Sequence, residues 1–436
     1  MKRVLFCIIA SVLVCFSLSA QTPRELIKEK PVRAAGNHNP YEAPAVILDT
    51  PAPKGYKPFY VSHYGRHGSR YKTNDNDFKK YLPILEEAQK QGLLTEEGQR
   101  LADDIRTLGD EHKGMIGVLT IVGGREHQGI AERLYDRVPE VFNQKDRNRV
   151  FCVSTPVHRV IESMGNFTTA LKGKAPKLDV TLLAGDRFGD WLANSGMRRG
   201  GERPISITAA KDSITALYVD PTRFTKAMFT DPAKAEAFLA EQKMTPTSFM
   251  QKMFVIGSIS PCLDRNNPDI FSYFTNDELY GCWYCENINL MNNYSFTVEN
   301  RSARTLTGQL ILNDIIEKAD DALKGNNRCA DLRFGHDTGA GALLALIKVQ
   351  GYDKVLSVIH DDLTYWPGFK YLNMGTNLQL IFYKNKKGDV LVKLYCNENE
   401  TTIPALKPYY GPYYKWSDLR AYFMEKMEGF VNPLEN

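Results

Sequence analysis

A short loop near the start of the chain carries three side chains that suit the binding of an anion. Arg66, His67 and Arg70 lie close together in the sequence, and Gly65 and Gly68 lie beside them. Arginine offers planar, paired donors that match the oxygens of a phosphate group. A neutral histidine is a nucleophile, and glycine lets a ligand come close to the backbone. This spacing indicates a site where a strongly anionic group is bound and attacked.

Two later segments add groups of the same kind. "STPVHRVIES" contains Arg159, and "GHDTGAG" contains His336 and Asp337. Either segment alone is weak evidence, because an arginine after a strand is usually a surface residue and a His-Asp pair is common. Together with the first loop they fit phosphoryl transfer, in which arginines stabilise the charge on the phosphoryl oxygens. A carboxylic acid such as Asp337 could then protonate the leaving alkoxide.

The elements that must position these groups are strands. Apolar runs predict buried strands at 59–64, 149–155, 178–184 and 331–337, with helical spacing between them. Such alternation predicts an α/β fold, with a mainly parallel sheet and helices on both faces. Two further strands flank Lys386, Lys387 and Gly388, which predicts an antiparallel hairpin at one side of the sheet. Ligands bind beyond the carboxyl ends of the strands in such folds, so the three segments are expected to meet there.

The chain divides into four predicted parts. Residues 1–20 have a basic start, a short apolar run and small residues at the end, which predicts a signal peptide. Residues 21–184 form the first part of an α/β core, and 325–436 form the second. Between them, 185–324 is predicted to be a mainly helical insertion, or cap domain. Residues 31–55 are expected to be an extended arm that leads into the core.

Composition excludes several classes of protein. The net charge of the 436-residue chain is only +4, which argues against a general nucleic-acid binder. No stretch after residue 20 is long and apolar enough to span a bilayer. With the predicted signal peptide, the protein is expected to be exported, to the periplasm or the exterior. No ligand cluster has the spacing of a metal site, and no cofactor is indicated.

Six cysteines remain after residue 20, and the sequence does not fix whether or how they pair: Cys152, Cys262, Cys282, Cys285, Cys329 and Cys396.

The loop "GRHGSR" resembles the RHGxR signature of the histidine acid phosphatases, a branch of the histidine phosphatase superfamily that includes phytases and multiple inositol polyphosphate phosphatases. The pair His336-Asp337 is similar to the second catalytic motif of that branch. "STPVHRVIES" resembles its segment with a third phosphate-binding arginine, and "GVLTIVGGREHQGIAERL" resembles its LTxxGxxQ segment. The resemblance extends over the core from about Phe59 to Asn397 and implies a core like that of phosphoglycerate mutase.

The resemblance also implies roles for residues. His67 would be the nucleophile that becomes phosphorylated, and Asp337 would be the proton donor. The phosphate would be bound by four residues: Arg66, Arg70, Arg159 and His336. The sequence departs from the family pattern at Lys72, where proline is common. It also carries HD, where the inositol polyphosphate phosphatases usually carry HAE.

The expected function is a metal-independent phosphomonoesterase that acts on a polyanionic small molecule, with inositol polyphosphates such as phytate favoured. Alternatives are a broad-specificity acid phosphatase, a transferase like phosphoglycerate mutase, and a non-catalytic module that binds phosphorylated ligands or glycans. Arg198, Arg199 and Arg203 lie in the insertion and are either additional ligands for a polyanion or a solvated basic loop. The oligomeric state is not predicted.

Overall fold

The fold was analysed in a computed structural model, which describes residues 21–46, 49–189, 191–192, 205–300, 305–358 and 365–430. The predicted signal peptide and the three arginines Arg198, Arg199 and Arg203 lie outside the described residues. One sheet contains eight strands: β1 (Lys57–Arg66), β2 (Arg149–Ser154), β3 (Asp179–Ala184), β4 (Arg328–Gly335), β5 (Asn377–Lys384), β6 (Val390–Cys396), β7 (Asn399–Thr401) and β8 (Tyr413–Lys415).

The sheet is mixed, with a parallel half and an antiparallel half. The strand order is β3-β2-β4-β1-β5-β6-β7, and β8 also pairs with β6. The strands from β3 to β1 are parallel, whereas β5 runs antiparallel to β1 and forms the predicted hairpin with β6. The parallel half contains the four predicted core strands, and β4 lies between β2 and β1.

The helices account for most of the remaining described chain. Before β2 lie α1 (Pro23–Glu29), α2 (Asn76–Lys90), α3 (Glu96–Glu111), α4 (Ile121–Arg137) and α5 (Pro139–Phe142). Between β2 and β4 lie α6 (His158–Lys174), α7 (Asp186–Gly189), α8 (Thr208–Tyr218), α9 (Thr222–Met228), α10 (Pro232–Glu241), α11 (Pro246–Gly257), α12 (Asn276–Tyr294) and α13 (Thr305–Leu323). After β4 come α14 (Asp337–Ile347), α15 (Gly368–Tyr371) and α16 (Trp416–Lys426).

Helices cover both faces of the sheet, as expected. On one face, buried residues of α4 and α6, such as Leu134 and Phe167, pack with Val61 of β1 and Phe334 of β4. On the other face, residues of α13, α14 and α16 pack with alternate strand positions, including Tyr60. Because successive side chains of a strand point to opposite faces, β1 contributes to both cores.

The described part of the predicted insertion is mainly helical. The described residues between 185 and 324 contain α7 to α13 and two short 3₁₀ helices, Ser260–Cys262 and Ile270–Tyr273, but no strand. The division into core and cap remains a prediction. Within the described part of the chain, every helix is too short or too polar to cross a bilayer. All six cysteines after residue 20 are unpaired thiols.

Candidate active site

The carboxyl ends of β1 and β4 bring the first loop and the His-Asp pair together. In the parallel pairing of these strands Arg66 is opposite Gly335, so His67 and His336 follow side by side. The ring centroids of the two histidines lie 5.6 Å apart. Strand β2 pairs with the other side of β4, and α6 begins shortly after it at His158, next to Arg159. Three segments that are distant in the sequence therefore meet at one end of the sheet.

Arg66 is fully buried and held by backbone oxygens. Its Nη1 donates to the carbonyl oxygens of Asn37, Leu372 and Asn373, at 2.8, 2.8 and 2.9 Å. Its Nη2 lies 3.2 Å from Oδ2 of Asp337 in an ion pair. Nε and Nη2 have no hydrogen-bond acceptor among the described residues. The guanidinium group is thus fixed in place while part of its donor capacity stays available for a ligand.

His67 has the geometry of a neutral nucleophile. Its Nδ1 lies 2.9 Å from the carbonyl oxygen of Gly68, which can only accept, so Nδ1 carries the proton and Nε2 carries the lone pair. The hydrogen bond that the His67 ring makes within the described part of the chain involves Nδ1 and not Nε2. Burial, followed by the charges of Arg159 and Arg66, lowers the pKa of His67 well below its usual value. The ring is therefore neutral at neutral pH, and its free nitrogen is available to attack.

Arg159 and His336 contact each other within the site. Nη2 of Arg159 lies 3.4 Å from Nδ1 of His336, and Nε2 of His336 lies 3.0 Å from Oγ1 of Thr155. Burial lowers the pKa of His336 to about 3, and the nearby Arg159 adds to the effect. A neutral His336 that accepts from Arg159 must carry its proton on Nε2 and donate to Thr155. Nε of Arg159 is buried and unpaired within the described residues.

Arg70 is the third arginine of the site, after Arg66 and Arg159. Its Nη1 donates to the carbonyl oxygen of Tyr71 at 3.0 Å, and its Nη2 lies 3.3 Å from Nε2 of His38. Burial and the charge of Arg66 lower the pKa of Arg70. Buried like charges destabilise one another unless a counter-charge is supplied. The site therefore favours the binding of an anion.

Asp337 faces this cationic site from the first turn of α14. Its Oδ1 accepts from the backbone N–H of Thr338 at 2.9 Å, and its Oδ2 accepts from Nδ2 of Asn37 at 3.2 Å. Burial favours the neutral acid, but the charges of Arg66 and Arg70 and the hydrogen bond from Thr338 outweigh burial and lower the pKa of Asp337 below its ordinary value. The carboxyl group is therefore ionised at neutral pH. A bound phosphate dianion would oppose the arginines and favour the protonated acid.

A half-buried glutamate on α4, Glu126, supports the catalytic loop. Glu126 accepts from the backbone N–H and from Oγ of Ser69, both at 2.7 Å, and from the backbone N–H of Tyr41 at 2.8 Å. The backbone N–H of Gly68 donates to Oγ of Ser163 at 3.1 Å. The loop is therefore attached to two helices and to the N-terminal segment, which limits its freedom to move.

The loop also packs directly on α4, because Gly123 has no side chain. A Cβ atom at Gly123 would lie 2.2 Å from the carbonyl oxygen of Ser69 and 2.8 Å from its nitrogen. We expect Gly123→Ala to displace the loop, to destabilise the protein by about 1–3 kcal/mol and to reduce turnover. Chemical unfolding and phosphate release measure the two effects.

Gly165 in α6 provides a matched control for this prediction. A Cβ atom there would meet no atom within 4 Å, so Gly165→Ala is expected to stabilise its helix by roughly 0.5–1 kcal/mol without loss of activity. If Gly123→Ala were as stable and as active as Gly165→Ala, the close contact between the loop and α4 would be wrong.

The structure brings all six sequence-predicted residues in its described part into one site, namely Arg66, His67, Arg70, Arg159, His336 and Asp337. Their individual roles remain predictions. Sequence reasoning missed Asn37 and His38, which reach the site from the predicted arm, and also Thr155 and Glu126. The only sequence signal for the first two was the short polar run "GNHNP" after a helix start. The described residues contain no group of three or more His, Cys, Asp or Glu side chains placed to hold a metal ion.

Searches against protein-family models and against curated protein sequences find no match to this chain. Solved structures do match. Multiple inositol polyphosphate phosphatase of Bifidobacterium longum, in complex with phosphate, has a TM-score of 0.77 at 17% identity, with 92% of this chain and 99% of that chain covered. The chain has the fold of the inositol polyphosphate phosphatases. The same enzyme in complex with inositol hexasulfate gives a TM-score of 0.75 at 17% identity over 90% of this chain and 97% of that one.

A second protein with this fold is the phytase from D. castellii. It has a TM-score of 0.68 at 18% identity, covering 91% of this chain and 86% of that chain. At these identities the similarity establishes the fold alone. The inositol polyphosphate phosphatase fold thus extends over nearly the whole chain.

Proposed function

We propose that this protein is a histidine acid phosphatase that hydrolyses phosphate monoesters through a phosphohistidine. The observation that carries the proposal is the arrangement around Nε2 of His67. That nitrogen is neutral and unpaired within the described structure, arginines surround it, and the carboxyl group of Asp337 lies in the same site. Electrostatic stabilisation by fixed donors is the main requirement of phosphoryl transfer, and this site supplies it.

In the first step, the arginines bind the phosphoryl oxygens and Nε2 of His67 attacks phosphorus. The bond from nitrogen to phosphorus forms as the bond from phosphorus to the leaving oxygen breaks. Asp337 in its protonated form gives its proton to that oxygen, and the alcohol leaves. The phosphorylated ring keeps the proton on Nδ1, and the carbonyl oxygen of Gly68 stabilises its positive charge.

In the second step, water attacks the phosphohistidine. The Asp337 carboxylate accepts a proton from the water, the bond from nitrogen to phosphorus breaks, and inorganic phosphate is released. His67 returns to its neutral form with the lone pair on Nε2, and Asp337 is again protonated. Each of the two groups therefore ends the cycle in the state in which it began.

For the substrate class, we propose inositol polyphosphates such as phytate. The fold is that of an enzyme known in complex with inositol hexasulfate and with phosphate, and the site of this chain is strongly cationic. The alternative within the same chemistry is a broad-specificity acid phosphatase. A non-catalytic phospholigand or glycan module would need neither a free nucleophile nor a carboxyl group, and both are present.

The test is steady-state phosphate release from phytate and from a simple aryl phosphate, with EDTA present throughout. We expect turnover of both, with a higher kcat/KM for phytate, and no need for a divalent ion because the arginines supply the positive charge. Equal kcat/KM values would favour the broad-specificity enzyme. No turnover of either ester would contradict the proposed phosphatase activity, and recovery of activity with an added metal ion would contradict a metal-independent reaction.

Activity is expected to fall as the pH rises. His67 must be neutral to attack, and its lowered pKa keeps it neutral in mildly acidic solution. Asp337 must be protonated to donate, and its pKa lies below the ordinary value, so the active fraction shrinks at higher pH. We expect kcat/KM for phytate to decline between about pH 5 and pH 8. A rise over this interval would contradict the acid role of Asp337.

We also propose that the protein is exported, to the periplasm or the exterior, by residues 1–20. The basic start, the apolar run and the small residues before Gln21 support this. A mature protein isolated from the producing cells should begin near Gln21, which N-terminal sequencing measures. A cytosolic protein that retains residues 1–20 would contradict export.

A further inference from the structure

The N-terminal segment enters the active site instead of only leading into the core. After α1, residues Pro31–His38 form a 3₁₀ segment that packs against α12 and α15. The chain turns at Gly36, which has a φ of 61°. A Cβ atom there would lie 3.2 Å from Cδ1 of Leu290. This turn delivers Asn37 and His38 to the catalytic groups.

Asn37 contacts both members of the central ion pair. Its carbonyl oxygen accepts from Nη1 of Arg66 at 2.8 Å, and its side-chain Nδ2 donates to Oδ2 of Asp337 at 3.2 Å. The next residue, His38, lies 3.3 Å from Nη2 of Arg70 and also contacts Oγ of Ser258 at 3.0 Å. Two consecutive arm residues therefore reach two of the site arginines and the carboxyl group.

We propose that Asn37 is a positioning residue that orients the carboxyl group of Asp337 for proton donation. The inference rests on the proposed phosphatase function. Oδ2 of Asp337 accepts a hydrogen bond from Asn37 and lies 3.2 Å from the positively charged Nη2 of Arg66, so a donor and a cation both stabilise negative charge on this oxygen. The proton is therefore directed to Oδ1, whose described partner is one backbone N–H. In this way Asn37 fixes both the plane of the carboxyl group and the oxygen that carries the proton.

The other groups that act on Asp337 come from different elements. Arg66 and Tyr64 lie on β1, Arg70 lies in the loop after it, Arg159 lies on α6, and His336 precedes α14. Asn37 differs from the arginines because its side chain is uncharged and donates a hydrogen bond to the carboxylate of Asp337. It can be changed without removing a positive charge from the phosphate site, so its variants separate orientation of the acid from binding of the substrate.

The test uses Asn37→Ala and Asn37→Asp in the full-length protein, with phytate and an aryl phosphate of an acidic phenol as substrates. For Asn37→Ala we expect kcat on phytate to fall about tenfold, because a small misplacement of a catalytic group costs that much or more. KM should change little. The first-turnover rate on the aryl phosphate should also change little, because its leaving group needs no proton.

Asn37→Asp provides an isosteric second variant with a readout that a purely structural role would not alter. A carboxylate beside Asp337 disfavours its ionised form and raises its pKa. The fall in kcat/KM at high pH should then move upward by about one pH unit. If both variants lost activity equally on the two substrates, with an unmoved pH profile, Asn37 would be structural and the proposal wrong. Unchanged kcat in Asn37→Ala would also overturn it.

Asn39→Ala is the matched control, because Asn39 lies two residues further along the same segment and donates to Glu42 at 3.0 Å instead of to the site. It should keep the selectivity of the wild-type protein for the two substrates. If Asn39→Ala reproduced the phytate-specific loss, the integrity of the arm would explain the effect. Wild-type turnover and its loss in His67→Ala, measured in the same assay, test the proposed function separately from the role of Asn37.

Discussion

Replacing His67 with alanine is expected to abolish turnover of every phosphate ester while the fold survives. The loss should be on the order of 10⁴-fold or more, the scale of a removed nucleophile. His67 is nearly fully buried and contacts the carbonyl oxygen of Gly68, so removing the ring leaves no charged group unpaired. Steady-state phosphate release measures the loss, and rapid quenching of the wild-type reaction should trap an acid-labile phosphoenzyme that the variant lacks.

His158→Ala is the matched control for this prediction. His158 begins α6 beside Arg159, but its side chain is exposed to solvent. We expect nearly wild-type turnover from this variant. Activity of His67→Ala close to that of His158→Ala would remove His67 from the nucleophile role, whatever the fold resemblance implies.

Asp337→Asn is expected to separate substrates by their leaving groups. General acid catalysis contributes roughly 10²–10⁴-fold, so release of an inositol alkoxide should slow by this amount. The acidic phenol of an aryl phosphate leaves as the phenolate and needs no proton, so the first turnover of this substrate should be affected much less. Hydrolysis of the phosphohistidine could then limit steady-state turnover of the aryl ester, so the burst phase is the quantity to measure.

Arg159→Ala provides the comparison for Asp337→Asn. Both substrates present the same phosphoryl oxygens to Arg159, so we expect similar losses in their first-turnover rates. The decisive quantity is the ratio of mutant to wild-type rates for each substrate. If Asp337→Asn slowed both substrates equally, as Arg159→Ala should, Asp337 would be a binding or structural residue and not the proton donor.

The convergence of the catalytic loop, Arg159 and the His-Asp pair could be predicted from the sequence, because each follows an apolar run typical of a strand. Parallel strands place their carboxyl ends at one edge of a sheet. The turn residues Lys386, Lys387 and Gly388 between two apolar runs also predicted the C-terminal hairpin. The antiparallel placement of β5 beside β1 could not be predicted, because it depends on pairing between strands far apart in the chain.

The contribution of the N-terminal segment to the active site could not be predicted from the sequence, for a related reason. Asn37 and Asp337 are separated by 300 positions, and neither periodicity nor spacing links them. Glu126 was also missed. It lies in a helix where glutamate is ordinary on an exposed face, and its half-buried position depends on how α4 packs on the loop. Such residues are identified by tertiary contacts, which local patterns do not contain.

The way Arg66 is held also bears on how the protein folds. Its guanidinium group is bound by carbonyl oxygens 29 residues before it and 306 residues after it. Contacts of such large sequence separation form slowly, because the entropy of closing long loops must be overcome before they contribute. During refolding, helical circular dichroism should therefore recover before the ability to bind inorganic phosphate. The phosphate site would then report the last stage of assembly, when both ends of the chain have met.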